Sequence, residues 1–214
     1  MLVRDRMTHN PVTIKDDTSL DDALRIMRES KVRRLPVLNK QGKLAGIVSE
    51  KDLLYASPSP ATSLSVWEIH SLIAKIKVSD LMTKKVTTVC EDCPIEEAAR
   101  VMVDSKIGGL PVMRDDALVG MITETDLFKT FLELLGARQQ GARFTLLVPD
   151  KKGMLASMAQ RVSQMGGNIV ALGTFLGEDP TNRLITMKVQ DVDKDALWPK
   201  LEELGIKLLD VRET

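Results

Sequence analysis

The chain carries one pattern twice, and this duplication limits what it can fold into more than any other feature. Val3, Asp5, Met7 and Thr8 recur as Val78, Asp80, Met82 and Thr83. At the same shift, Asp17, Ala23, Arg25 and Met27 recur as Asp92, Ala98, Arg100 and Met102. Leu35-Pro36-Val37 returns as Leu110-Pro111-Val112. One residue then drops out near Gly42, and Gly46, Glu50 and Asp52 fall on Gly120, Glu124 and Asp126. A register held over about 50 residues with one deletion marks a duplicated domain, at a period longer than the common solenoids use.

Each copy reads as the same set of elements. A short extended piece (Pro11–Ile14; Val86–Val89) leads into a helix, where Leu20, Ala23, Leu24 and Met27 keep helical spacing in the first copy. Thr18 with Asp21 resembles a capping box at its start. Two β-rich runs follow, Leu35–Leu38 and Leu44–Val48, around the turn composition Asn39-Lys40-Gln41-Gly42. The second copy repeats them as Leu110–Met113 and Leu118–Ile122. Ser57-Pro58-Ser59-Pro60 breaks the chain between the copies, and Leu64–Ile76 has helical spacing.

The repeated junction carries the chemistry. A strand ends at Gly-x-x-Ser/Thr and a helix begins there, with its unpaired N–H groups open to an anion. Ser49 or Thr123 can cap that helix or contact a phosphate. Asp52 or Asp126, one turn on, can accept hydrogen bonds from the vicinal hydroxyls of a ribose. Gly46 and Gly120 leave room for a ligand or a neighbouring backbone. The plain alternative is an N-cap with an acid favouring the helix dipole. The copies differ before Leu-Pro-Val, where Arg33-Arg34 stands in the first and Gly108-Gly109 in the second. Arginine binds phosphate bidentately, so two unequal sites are expected, with the Asp52 site better suited to a phosphorylated ligand.

Composition excludes several classes. Thirty basic residues balance 30 acidic ones and aromatics are 3%, unlike a nucleic-acid binder with its basic surplus and stacking rings. No apolar run nears the ~18 residues that span a membrane. MLVRDRMT lacks an apolar signal core, so a cytoplasmic protein is expected. The two cysteines form Cys90-Glu91-Asp92-Cys93. Cys93 aligns with Thr18 as an N-cap, with Pro94 at the first helical position. A loop-and-cap role is the reading adopted, with a disulfide as the alternative. Metal binding lacks a second Cys or His pair.

After Phe131–Leu135 a polar hinge, residues 136–141, precedes a new pattern. Arg143–Val148 reads as a strand and Asp150-Lys151-Lys152-Gly153 as a turn. A helix over Gly153–Met165 presents Leu155, Met158, Ala159, Val162 and Met165 on one face. Asn168–Leu176 and Leu184–Val189 read as paired strands, Asp195–Leu204 as a helix and Ile206–Val211 as a final strand. That order is βαββαβ, a ferredoxin-like unit.

Residues 1–130, through Leu35-Pro36-Val37 with Gly46–Asp52 and Leu110-Pro111-Val112 with Gly120–Asp126, resemble tandem cystathionine-β-synthase (CBS) domains, the Bateman module. The resemblance implies two domains packed about a pseudo-twofold axis, with adenosine-containing ligands between them. It maps ribose and phosphate contacts to Ser49, Asp52, Thr123 and Asp126, and base contacts to the neighbourhood of Val12 and Val86. Arg33 and Arg34, with Pro36 and Pro111 of the Leu-Pro-Val runs, complete the implied site. Residues 142–214, through Asp150–Leu155 and Gly167-Asn168-Ile169, resemble an ACT domain, although Lys152 stands where that family usually has proline. An amino acid would then lie near Asp150, Gly153 and Asn168. The order CBS–CBS–ACT resembles the acetoin-utilisation protein B family.

The expected fold class is therefore α/β (α+β), with CBS domains at 1–60 and 78–135, a linker helix at 61–77, a hinge at 136–141 and an ACT domain at 142–214. No catalytic constellation, obligatory cofactor or metal site is expected. The expected function is a sensor for AMP, ADP, ATP, NAD or S-adenosylmethionine, acting as a homodimer with a regulated metabolic enzyme as candidate partner and with neither nucleic acid nor membrane as partner. The rival readings are an amino-acid sensor using the CBS pair as scaffold, a CxxC oxidoreductase and a structural adaptor.

Overall fold

The structure is a computed structural model that describes residues 1–56 and 75–214. Most of the expected 61–77 linker helix lies outside the described residues. The chain divides into two compact units, Met1–Leu127 and Phe128–Thr214. The first contains β1 (Thr8–His9), β2 (Ile14–Lys15), α1 (Leu20–Ser30), β3 (Arg34–Leu38), β4 (Leu44–Ser49) and α2 (Glu50–Ala56). It continues with α3 (Val78–Leu81), β5 (Val89–Cys90), α4 (Ile95–Ser105), β6 (Gly109–Arg114) and β7 (Ala117–Thr123). Helix α5 (Glu124–Leu134) follows, and the division between the units falls within it.

Each copy builds the same small sheet. Strand β2 runs parallel to β3, which pairs antiparallel with β4, and β5, β6 and β7 repeat that arrangement. The deleted residue is a turn difference. Copy one turns through Asn39–Lys43, where Asn39 Oδ1 accepts from the Gln41 and Lys43 amides at 3.0 and 2.9 Å. Copy two turns through Asp115-Asp116, with Asp115 at φ 50°.

The leading segment of each copy packs on the other copy. Val3 and Met7 are buried with Val89, Ala98, Met102 and Leu110 of copy two. Val78 is buried with Leu20, Ala23, Met27 and Leu35 of copy one, with Met82 packed against them. Backbone bonds mirror the exchange. Val3 N donates to Cys93 O and Arg4 N to Glu91 O, both at 2.9 Å; Val78 N donates to Thr18 O at 2.9 Å and Ser79 N to Asp16 O at 3.0 Å. The repeated glycines receive the repeated methionines. A Cβ on Gly46 would lie 2.8 Å from Met82 Cγ, and one on Gly120 would lie 3.0 Å from Met7 Cγ and 3.1 Å from Thr8 O. The neighbour these glycines admit is thus a methionine side chain.

The exchange also corrects both expected N-caps by one residue. The carbonyls of Thr18 and Cys93 accept from the incoming segments, so the helices begin later. Ser19 caps α1 through its Oγ, which accepts from Asp22 N at 3.2 Å. Pro94 stands at the N-cap of α4. Cys90 and Cys93 are joined as a disulfide around Glu91 and Asp92, with Cα atoms 5.2 Å apart. Both helices stop at a left-handed lysine, Lys31 at φ 55° and Lys106 at φ 54°, a stop that no glycine announces.

The second unit contains β8 (Ala142–Pro149), α6 (Met154–Gln164), β9 (Asn168–Leu176), β10 (Asn182–Gln190), α7 (Lys194–Glu202) and β11 (Lys207–Glu213). Its antiparallel sheet has the order β11-β8-β10-β9, the ferredoxin-like arrangement of βαββαβ. Phe144, Leu146, Met187 and Val189 face Met158, Val162, Leu197 and Leu201 in its core. On α6 the buried stripe is Met158 and Val162, with Met154 and Met165 packed beside them. Leu155, expected in that stripe, is 45% exposed, and Ala159 is also exposed. The segment expected as a hinge is tied to this sheet. Buried Lys188 donates its Nζ to Gly136 O at 2.9 Å and Gln139 O at 2.8 Å. Gln190 Nε2 donates to Gln140 O at 2.7 Å. Among the described residues, no helix is long and apolar enough to cross a membrane.

Two outcomes follow. Met7 lies near the start of the sequence yet is 6% exposed, so Met7→Ala is expected to cost about 2–4 kcal/mol, read as a lower urea midpoint. An unchanged midpoint would mean that the leading segment is not part of the core. Glu91 is 9% exposed and accepts from Arg114 Nε and, at 2.8 Å, from Arg114 Nη2. Those bonds hold its carboxyl below the ordinary glutamate value. A depressed carboxyl contributes stability above its unfolded value and loses it as pH falls through the folded one. The urea midpoint should therefore drop below about pH 4, and Glu91→Gln should lower it at neutral pH while making the acid fall shallower. An acid profile identical to wild type would remove Glu91 from this role.

Candidate functional site

The two strand-to-helix junctions have matching geometry. Asp52 Oδ2 accepts from Ser49 N at 2.9 Å and from Ser49 Oγ at 2.6 Å, while Asp52 N donates back to Ser49 Oγ at 3.2 Å. Asp126 Oδ2 accepts from Thr123 N at 3.0 Å and from Thr123 Oγ1 at 2.7 Å. Each acid sits three residues after its hydroxyl and reaches back to that residue's amide, and in copy one the reciprocal bond closes a capping box with aspartate in the usual glutamate place. The cap reading of these residues holds, and it also fixes each carboxylate relative to its helix end.

A cleft of about 700 Å³ opens in the first unit. One wall is the chain entering copy one, Thr8 and Asn10 to Val12. A second wall is Lys31 to Arg34 with Ser49 to Lys51. Copy two supplies Gly108, Met121 and Thr123 to Asp126. The cleft therefore brings together Val12, Arg33, Arg34, Ser49, Thr123 and Asp126 from the expected site. It does not include Asp52, Pro36, Val86 or Pro111. Pro36 and Pro111 are buried within strands, opposite Ile47 and Met121. Asp52 is exposed and Val86 half-buried, both outside the cleft wall.

The expected partnership of the arginines with Asp52 is corrected. Arg33 and Arg34 stand in the cleft of Thr123 and Asp126. The reason is the glycine pair of copy two. Arg34 Cδ lies 3.4 Å from where a Cβ on Gly109 would be, so the side chain passes over Gly108-Gly109, which leave it room. Residues missed from sequence include Lys31, Lys51, Gly108 and Glu124. The Arg-Arg to Gly-Gly difference was the signal for Gly108, and the repeat of Glu50 as Glu124 was a weaker one.

A second cavity, about 850 Å³, lies in the second unit. Asp150, Gly153, Leu155, Phe175 and Arg183 are on its wall. Arg183 Nε donates to Asp150 Oδ2 at 3.0 Å. Gly153 takes φ +83° with open space where a side chain would be, so conformation rather than crowding selects glycine there. Asn168 is not on this wall. It opens β9 opposite Gln190, at the far end of the strand from Phe175, and the left-handed residue before it is Gly166 at φ +78°. Among the described residues, no group of three or more His, Cys, Asp or Glu is placed to hold a metal ion.

Comparison with known proteins places this geometry. Residues 3–59 and 78–133 match the CBS domain family, and residues 140–212 match the TTHA0829-like ACT domain. A CBS domain-containing protein of Dictyostelium discoideum is 34% identical over 136 residues, 63% of this chain and 94% of its own length. A crystal structure of a Vibrio cholerae protein ascribed to acetoin utilization (AcuB) is 34% identical, covers 65% of this chain and 96% of its own, and has a TM-score of 0.53. The CBS domain pair of protein MJ0100, crystallised with 5'-methylthioadenosine and S-adenosyl-L-methionine, is 27% identical, covers 65% of this chain and 98% of its own, and has a TM-score of 0.52.

Proposed function

This chain belongs to the CBS domain family and carries a C-terminal ACT domain, and we propose that it is a non-catalytic regulatory sensor whose cleft takes an adenosine-containing ligand. The observation that carries the reading is the convergence of a cap-fixed carboxylate, Asp126, with Val12 and the cations Arg33 and Arg34 on one cleft. A carboxylate at a helix start accepts from two ribose hydroxyls, an apolar edge flanks a base, and guanidinium groups meet phosphate. AMP, ADP, ATP, NAD and S-adenosylmethionine share the ribose and adenine that this arrangement suits. The adenosine-derived ligands of the MJ0100 domain pair support the class.

A ligand in the cleft touches the Thr8–Val12 segment, Arg33 and Arg34 of copy one and the α5 start of copy two together. It therefore favours whichever arrangement of the copies fits it better, and only that difference in affinity shifts the population. The output passes through the ACT domain or a partner protein, such as a metabolic enzyme, from a cytoplasmic homodimer. Likeness to the Vibrio cholerae protein supports a setting in acetoin use. A second reading rests on the ACT cavity. Its Asp150–Arg183 pair at an apolar wall suits the ammonium and carboxylate of an amino acid, with Gly153 at the rim and the CBS pair as scaffold.

One melting experiment separates the two. At ~100 times its dissociation constant, a nucleotide should add roughly 2.7 kcal/mol of stability. The resulting rise in Tm should vanish in Asp126→Ala and persist in Asp52→Ala, whose side chain lies outside the cleft. No shift with any nucleotide, but a shift with a single amino acid that Arg183→Ala abolishes, would transfer the sensing role to the ACT domain.

A further inference from the structure

We propose that Cys90 and Cys93 form a redox-exchangeable site, a disulfide that a dithiol opens in the folded protein, and that the closed bond clamps the turn on which the leading segment docks. The two cysteines enclose only Glu91 and Asp92, with Cα atoms 5.2 Å apart. Cys90 is exposed and Cys93 half-buried. Val3 N donates to Cys93 O and Arg4 N to Glu91 O, both at 2.9 Å. The Arg4 guanidinium also pairs with Asp92. Each residue from Glu91 to Cys93 thus takes a bond from the leading segment, and Glu91 is held from the other side by Arg114 at the end of β6.

The other copy builds the same turn without sulfur. Lys15-Asp16-Asp17-Thr18 occupies the place of Cys90-Glu91-Asp92-Cys93 in the repeat. Thr18 N donates to Lys15 O at 3.1 Å, and Cys93 N to Cys90 O at 3.3 Å. Asp16 N donates to Leu38 O at 3.2 Å, and Glu91 N to Met113 O at 3.2 Å. Val78 N and Ser79 N dock on the first turn as Val3 N and Arg4 N dock on the second. The turn therefore forms with no cross-link. A ring this short also adds little as a staple, because the stabilisation from a disulfide grows with the loop it closes. A bond that the fold does not require can open while the fold stands.

The exposed sulfur sets the course of the exchange. A thiolate of the dithiol attacks Cys90 Sγ and forms a mixed disulfide. The Cys90–Cys93 bond breaks, and Cys93 leaves with its electron pair and takes a proton. The second sulfur of the reductant then attacks the first, closes its own disulfide and releases Cys90, which takes a proton in turn. The dithiol has given up two electrons and two protons, and the chain has gained two thiols. Reduction leaves the turn's hydrogen bonds in place but frees its ends, so the leading segment docks on a looser partner. That segment continues through β1 into Asn10 to Val12, a wall of the cleft.

Dithiothreitol, added to the full chain without denaturant after treatment with oxidised glutathione, is the probe. Alkylation and mass analysis should find no labelled cysteine before the addition and both labelled after it, with the circular dichroism spectrum unchanged. Amide hydrogen exchange at Val3 and Arg4 should then quicken on the order of tenfold. Val78 and Ser79, docked on the turn without sulfur, should keep their rates. The double variant Cys90→Ser, Cys93→Ser should exchange at the reduced rates with or without dithiothreitol, and reduced wild type carries the test if that variant fails to fold. Thiols that stay free in oxidised glutathione would overturn the inference. So would a disulfide that opens only in urea, or rates at Val3 and Arg4 that reduction leaves unmoved.

Discussion

A methionine entering the space left by a glycine holds the first unit together, and it does so twice. Met82 lies over Gly46 and Met7 over Gly120, each methionine arriving from the segment that precedes the opposite copy. Interiors are packed densely enough that a single extra methylene is felt, so the absent side chains are structural requirements. The backbone bonds around Val3 and Val78 run in parallel with these contacts. Neither copy has a complete core without the other's leading segment, and the duplication is better described as one interlocked unit than as two beads.

That interlock is what makes a cleft. Strand β1 pairs with β7, and the chain continuing from it through Asn10 to Val12 must pass between the copies to reach its own sheet. The wall so formed faces Asp126, whose carboxylate accepts from Thr123 at the start of α5. A symmetric frame thus carries asymmetric chemistry, because Arg33-Arg34 and Gly108-Gly109 occupy equivalent positions and cannot do equivalent things. In the second unit, a buried lysine amine bonded to two backbone carbonyls fixes the connector to the sheet.

Much of this was legible in the residues. The extended piece, helix, paired strands and second helix of each copy, the βαββαβ order of the second unit and the hydroxyl–acid pairs could be read, because hydrophobic period, turn composition and a shared register are local signals; β1 and α3 could not. What was not local was misplaced. The N-caps moved from Thr18 to Ser19 and from Cys93 to Pro94 because their carbonyls serve a segment distant in sequence. The arginines stand with Asp126 rather than Asp52, since a repeat says which residues correspond but not which copy they face. Leu155 and Asn168 fell on the wrong side for a related reason. A helical stripe fixes angle to within one neighbouring residue, and Asn168 beside Gly166-Gly167 has turn composition while serving as the first rung of a strand.

The interlock has a consequence for synthesis and for dissection. The ribosome makes Val3 and Met7 well before the surface that receives them, which is completed only when Leu110, Val112 and Ile122 have emerged. Copy one in turn waits for Val78. Val3 and Met7 thus wait for residues made about 100 positions later, and domain-by-domain folding during translation is closed to this unit. A cut anywhere between the copies yields two fragments that each carry the other's missing piece, so the fragments should recover structure by complementation and not alone.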